Sequence, residues 1–276
     1  MAQRIEVADP ADPRLDDFRD LASADRRPDR PGGRGLVIAE GVVVVRRLLA
    51  SPYPTRALLG TARRYDELAG ELAALPVPYH VVEPELMATV VGFHLNRGVL
   101  ATADRAAPPP VERLISGAGA LAILEGVGDH ENLGSIFRSA AALGVDGVLL
   151  GAGCADPLYR RSVRVSMGTV LQIPFAALPG WSAGGADLLR AHGFRLAALT
   201  PRPGAVPLGE AGLAKGRVAV LLGSEGPGLT DGALAAADVL VRIPMSRGID
   251  SLNVGTAAAI AFAVLGREIP AGWDGS

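Results

Sequence analysis

Cysteine, lysine and aromatic side chains are nearly missing from this chain. Cys154 is the single cysteine, which excludes an internal disulfide and a cysteine-based metal cluster. Its neighbours, Gly151-Ala-Gly-Cys-Ala-Asp156, include no histidine to activate it, so a small buried filler is the expected role. Lys215 is the only lysine. The positive charge is therefore arginine, which suits two-pronged phosphate contact better than lysine does. Aromatic residues make up 4%, too few for a surface that reads single-stranded RNA by stacking bases. Neither sign of charge dominates: the net charge is −2, and residues 1–110 carry 14 Arg against 15 Asp plus Glu. That balance argues against a protein that coats nucleic acid by charge alone. The longest apolar stretch, 255–266, is too short to span a bilayer. The opening Met1-Ala-Gln-Arg-Ile-Glu-Val-Ala-Asp9 lacks the apolar core of a signal peptide, so a cytoplasmic protein is expected. His80, His94, His130 and His192 are scattered without metal-ligand spacing, and no metal is expected.

What is present is a chain of 276 residues, 49% hydrophobic and 20% charged, enough to build a core. Residues 1–34 are rich in Asp, Arg and Pro and read as a flexible leader. From Leu36 the pattern alternates between strand and helix. Strands are expected at 36–39, 57–60, 79–82 and 98–103, with helices at 41–50 and around 66–74. This makes a compact α/β unit over 35–105. The Pro-rich segment 106–117 is the expected linker. A second domain, 118–276, carries continuous apolar runs at 121–124, 147–150, 196–199, 218–222 and 239–243. Such runs suit a parallel sheet buried on both faces. A helix is expected to start at Asn132 as its cap. Leu133, Ile136, Phe137, Ala140 and Ala141 give it one apolar face, Gly144 ends it, and Ser135, Arg138 and Ser139 lie away from that stripe. The last helix, about 252–265, is apolar almost all round, which implies burial in the fold or under a second subunit.

Three segments then stand out. They are Glu125-Gly-Val-Gly-Asp-His-Glu-Asn-Leu-Gly-Ser-Ile-Phe-Arg138, Leu222-Gly-Ser-Glu-Gly-Pro-Gly-Leu229 and Ile243-Pro-Met-Ser-Arg-Gly-Ile-Asp-Ser-Leu-Asn253. Each follows an apolar run and places glycine and polar side chains where a strand ends, the edge at which open α/β sheets bind ligands. Gly151-Ala-Gly153 lacks the third glycine of a dinucleotide fingerprint, which weakens an oxidoreductase reading. Gly223–Gly228 lacks the Gly-Lys-Ser/Thr of a nucleotide-triphosphate loop. Asp129, His130, Glu131 and Ser135 form no hydrolase elbow. What remains is a pocket with glycine main chain at Gly223, Gly226 and Gly228 for a ligand to approach. Around it stand Glu225, Asn132, Arg138, Ser251 and Asn253. Taken singly, Asn132 and Ser251 could be helix caps and Glu225 a first-turn acid.

Together the segments resemble the three signature motifs of the SpoU/TrmH family of RNA 2′-O-ribose methyltransferases, in the SPOUT superfamily. The motifs stand here as Asn132-Leu-Gly-Ser-Ile-Phe-Arg138, Gly223-Ser-Glu-Gly-Pro-Gly-Leu229, and Ile243-Pro-Met245 followed by Ser251-Leu-Asn253. Residues 35–105 look like the L30e-like substrate-binding domain of many members, on Glu40-Gly41 before a helix and Gly92-Phe-His-Leu-Asn-Arg-Gly-Val-Leu-Ala101 at the end. The resemblance implies an α/β fold with a parallel-sheet methyltransferase domain, a deep C-terminal trefoil knot and a homodimer. Periodicity alone would reject a knot, because threaded chains are nearly absent from proteins. It implies S-adenosyl-L-methionine held by Leu199, Thr200, Gly223, Ser224, Gly228, Ile243, Met245, Ser251 and Leu252. It makes Asn132, Arg138, Glu225, Ser251 and Asn253 the catalytic set. Arg46, Arg47, Asn96, Arg97 and Arg138 would face RNA, with ribosomal RNA favoured over transfer RNA and an antibiotic-resistance role left open. A catalytically silent RNA-binding or ribosome-assembly factor on the same fold is the alternative. The family's arginine has been proposed as a base; a guanidinium holds its proton near neutral pH, so a phosphate clamp is the preferred role for Arg138.

Overall fold

A computed structural model describes residues 2–21, 35–246, 249 and 251–265. The chain divides into two units: residues 1–107 with 157–172, and residues 108–156 with 173–276.

In the first unit, β1 (Gln3–Glu6), β2 (Val37–Glu40), β3 (Thr55–Gly60), β4 (Pro78–Val81) and β5 (Val99–Ala103) form one sheet in the order β1-β4-β3-β5-β2. β5 runs antiparallel to β2 and β3. The helices are α1 (Val42–Leu49), α2 (Ala62–Glu67), α3 (Ala69–Leu72) and α4 (Pro84–Val91). Two expectations change here. Residues 2–21 are not leader: β1 pairs with β4, and Leu15, Phe18 and Leu21 are fully buried in this unit's core. Apolar side chains sparsely set among Asp and Arg still bury enough surface to anchor the segment, at about 1.5–3 kcal/mol per large side chain. The arginine cluster 26–34 lies outside the described residues. The helix expected near 66–74 is broken into α2 and α3 at Leu68, whose side chain is buried.

The second unit begins with α5 (Val111–Gly117), so only the first half of the expected linker lacks a helix. Then follow β6 (Ala120–Glu125), α6 (His130–Ala142) and β7 (Gly147–Leu150). The chain next leaves for 157–172, which belong to the first unit and hold α7 (Arg160–Val165). There Arg47 of α1 donates to the Met167 carbonyl at 2.7 Å, and Arg160 sits 3.8 Å from the buried Glu40 carboxylate. The expected single domain 118–276 is therefore interrupted. Back in the second unit come β8 (Phe175–Ala177), α8 (Gly185–Ala191), β9 (Phe194–Leu199), β10 (Val206–Pro207), β11 (Arg217–Gly223), α9 (Asp231–Ala236), β12 (Val239–Arg242) and α10 (Val254–Val264). The seven strands are all parallel, in the order β10-β12-β9-β11-β6-β7-β8. β6 and β11 are buried along nearly their whole length, as the continuous apolar runs require.

α6 and α10 pack on each other at Gly255. A Cβ there would lie 2.9 Å from the Ser135 hydroxyl and 3.1 Å from its Cβ, so a larger residue would force Ser135 to shift, and Ser135 sits in the crossing rather than outside it. α10 is apolar apart from Thr256, and Ile260 and Ala263 are exposed with it. Among the described residues no helix is long and apolar enough to cross a membrane.

Candidate active site

β6, β9, β11 and β12 end together. Gly223 is in register with Glu125, and Leu199 with Val241. The loop after β11 then folds back on itself. Gly228 donates its N–H to the Ser224 carbonyl at 3.1 Å, while Gly226 and Gly228 take positive φ of 85° and 73°, where a Cβ is unfavourable. A Cβ on Gly223 would lie 2.3 Å from the Gly228 carbonyl carbon. The glycine expected to let a ligand approach main chain thus first lets the loop approach itself.

Glu125 fixes the far side of this loop. Its Oε2 accepts from the Thr230 N–H at 2.9 Å, and its Oε1 accepts from the Thr230 hydroxyl and the Trp181 indole N–H, both at 3.0 Å. Sequence reasoning gave Glu125 no role. The available signal was a lone acid closing the apolar run 121–124.

A cavity of about 630 Å³ opens at this edge, within the size range of small-ligand sites. Leu199 and Thr200 form one wall; Gly223, Ser224 and Gly228 form a second; Ile243 and Met245, then Ser251 and Leu252, close the rest. All nine residues expected at a cofactor are gathered there. Beside it lies a recess of about 170 Å³ bounded by the loop Gly126–Asp129, Asn132, Ser224 and Val254. Glu225 lines both spaces.

A polar bridge joins the walls. Asn253 is the cap of α10: its Oδ1 accepts the N–H groups of Gly255 at 2.9 Å and Thr256 at 3.3 Å. That fixes its amide orientation, because main-chain donors can bond only to the oxygen. Nδ2 must then face the site, where it donates to Asn132 Oδ1 at 2.7 Å and Glu225 Oε1 at 2.8 Å. Asn132 in turn must present its oxygen to this bond and turn its own Nδ2 elsewhere. Asn132 is not the cap of α6, as expected from sequence; Asp129 is, accepting from the N–H groups of Glu131 and Asn132 at 2.9 Å. Nor is Ser251 the cap of α10; it lines the cavity.

Arg138 is not brought to this cluster. It is exposed, lines neither space, and has no hydrogen-bond or ion-pair partner among the described residues. Six residues beyond Asn132, it points to another side of α6. Of the residues expected to face RNA in the first unit, Arg46 pairs with Glu71 and bonds the Glu67 carbonyl at 3.2 Å. Arg47 is held by Met167, and Arg97 donates to the Glu40 carbonyl at 3.3 Å. Asn96 is exposed. Cys154 donates to the Leu124 carbonyl at 3.2 Å, and burial pushes its thiol pKa up, which disfavours a reactive thiolate. Gly151 and Gly153 pack against the main chain of residues 124–126, where a dinucleotide loop would need open space.

The family model described as the SpoU rRNA Methylase family matches residues 120–263. An uncharacterized tRNA/rRNA methyltransferase of Mycobacterium tuberculosis is 58% identical over 261 residues, covering 93% of this chain and 90% of that one. The 23S rRNA (guanosine(2553)-2′-O)-methyltransferase of Bacillus subtilis is 33% identical over 157 residues, covering 55% and 59%. Among solved structures, an AdoMet-bound rRNA methyltransferase from Sinorhizobium meliloti superposes with a TM-score of 0.79 at 26% identity, covering 96% of this chain and 98% of that one.

Proposed function

The chain belongs to the SpoU rRNA methylase family, and on that premise we propose that it methylates a ribose 2′-hydroxyl of RNA, with ribosomal RNA ahead of transfer RNA as substrate. The cofactor is S-adenosyl-L-methionine, the ligand bound in the S. meliloti relative. The residues fit it. The cavity has room for a nucleoside with an amino-acid tail, and its walls are largely apolar side chains and strand-end main chain. Leu199, Gly223, Ile243 and Leu252 would hold it through main-chain groups. When bound, it supplies an electrophilic methyl on a positively charged sulfur.

The chain's own residues do the rest. Holding the hydroxyl in line with the methyl replaces an encounter in solution by a fixed approach, which can supply much of the rate. Glu225, standing in the walls of both cavity and recess, is the observation that carries this reading, since a transferred group must pass from one space to the other. Asn253 holds that carboxylate through its Nδ2 and is itself anchored on Asn132 Oδ1. Arg138, exposed and without a hydrogen-bond or ion-pair partner among the described residues, is available to grip a phosphate beside the target ribose. The uncovered apolar face of α10 supports a homodimer formed there. The trefoil knot, the L30e-like nature of residues 35–105, RNA contact by Asn96 and Arg97, and a cytoplasmic location come from family resemblance and complete the proposal.

The test is incubation with methyl-labelled S-adenosylmethionine and unmodified ribosomal and transfer RNA pools, followed by alkaline hydrolysis. Label in alkali-resistant dinucleotides is expected, because a methylated ribose cannot assist cleavage of its own phosphodiester. Label confined to transfer RNA would reverse the substrate order. Cofactor binding without transfer to either pool would sink the proposal for mature RNA, and absence of cofactor binding would favour a silent RNA-binding factor.

A further inference from the structure

The amide orientation forced by the α10 cap leaves two groups unused. Asn253 spends both its Nδ2 protons on Asn132 and Glu225. Asn132 therefore keeps its own Nδ2 as a free donor, and Glu225 keeps Oε2 as a free acceptor; neither has a hydrogen-bond partner among the described residues. Both residues line the 170 Å³ recess. That space has room for a sugar ring.

From this we infer that the recess seats the target ribose, with Asn132 Nδ2 donating to the 2′-oxygen and Glu225 Oε2 accepting the 2′-hydroxyl proton. The inference rests on the ribose-methylation reading above and names the parts of that site. A hydroxyl donates and accepts at once, so it satisfies both free groups; a 2′-deoxy sugar satisfies neither, and the pair becomes the device that tells RNA from DNA. In the reaction the 2′-oxygen forms a bond to the methyl carbon as the methyl–sulfur bond breaks. The bonding electrons leave on sulfur as a neutral thioether, and the hydroxyl proton passes to Glu225 Oε2 and on to water. Asn253 cannot bond the substrate, since its amide is fully used; it is a positioning residue that turns Oε2 of Glu225 toward the recess. Arg138 then has no part in the proton transfer.

The first test needs no cofactor. The ¹⁵N-labelled protein is titrated with ribonucleoside 5′-monophosphates and, separately, with their 2′-deoxy counterparts. The Asn132 side-chain amide signal, assigned by its loss in Asn132→Ala, is followed. Ribonucleotides are expected to move it and deoxynucleotides to leave it in place. Equal movement with both, or movement with neither, overturns the inference. The second test is Glu225→Gln, which keeps an oxygen for Asn253 and removes the proton acceptor. Its transfer rate is expected to fall about 10²-fold, with S-adenosylmethionine affinity and melting temperature unchanged. A rate close to that of the unmodified protein overturns the inference, and so does a fall in rate matched by lost cofactor affinity. The alkali-resistant label separates the two levels. Ribose label from the unmodified protein with an unresponsive Asn132 sinks only the seat proposed here, whereas label on a base sinks the ribose reading with it.

Discussion

α6 and α10 both begin at the site, and they are capped in opposite ways. At α6 the duties are divided: Asp129 binds the free N–H groups, and Asn132, three residues on, faces the recess. At α10 they are fused: Asn253 binds the free N–H groups with its oxygen and the site with its nitrogen. The rest of each helix differs in the same sense. α6 buries one face through Leu133, Ile136, Phe137 and Ala140 and exposes polar residues on the other. α10 is apolar apart from Thr256 and meets α6 across Gly255. Stability and chemistry should therefore separate under mutation at the start of α6 and be locked together at the start of α10.

The largest effect is expected from Asn253→Ala, which removes both halves of the fused residue. Losing the cap should cost about 1 kcal/mol, lowering the melting temperature by about 3 °C. Losing the bridge should lower methyl transfer by about 10²-fold, as for loss of a preorganised donor. Asn253→Asp splits what Ala removes. Aspartate caps as well as asparagine, but it has no donor and sets a second carboxylate against Glu225. Transfer should fall about as far as in Asn253→Ala while the melting temperature drops less. Equal melting losses in the two variants would show that the cap is not what Asn253 contributes. Asp129→Ala is the counterpart at α6. It should cost about 1 kcal/mol, with a smaller loss of transfer than either Asn253 variant. A loss as deep as theirs would break the contrast between the helices.

Much of this architecture was legible because it rests on local pattern. β6, β7 and β11 are buried on both faces, as is β9 beyond Arg195, so each appears as an unbroken apolar run. The loops after them appear as glycine and polar residues; the nine residues assigned to the cavity came from resemblance to the family's motifs, because no local pattern joins segments so far apart in the chain. Elements held by distant contacts were not legible. β1 exposes much of its length and exists because β4 accepts it; β10 spans only Val206–Pro207 beside β12. The departure of 157–172 depends on Arg47 meeting Met167 and on Arg160 meeting Glu40, and no spacing reveals such pairs. The cap of α6 was missed for a different reason. Asp129 and Asn132 are both strong capping residues, and only three-dimensional geometry shows that Asp129 binds the N–H groups, leaving Asn132 free. Likewise Arg138 shares a motif with Asn132 but not a side of the helix.

The smallest effect should come from Asp129→Asn, and it sharpens the contrast most. Asparagine keeps an oxygen for the N–H groups of Glu131 and Asn132, so the cap survives. What disappears is a negative charge at the positive end of the α6 dipole, worth about 0.3–1 kcal/mol and measurable as a small drop in melting temperature. If capping is the whole contribution of Asp129, transfer should be unchanged. Asp129 also lines the recess, where its charge would repel an approaching RNA phosphate. Tighter RNA binding in Asp129→Asn, read as a lower Kd at fixed salt with cofactor affinity constant, would show that this charge acts on the substrate as well as on the helix. The division of labour at α6 would then be less complete than the hydrogen bonds alone suggest.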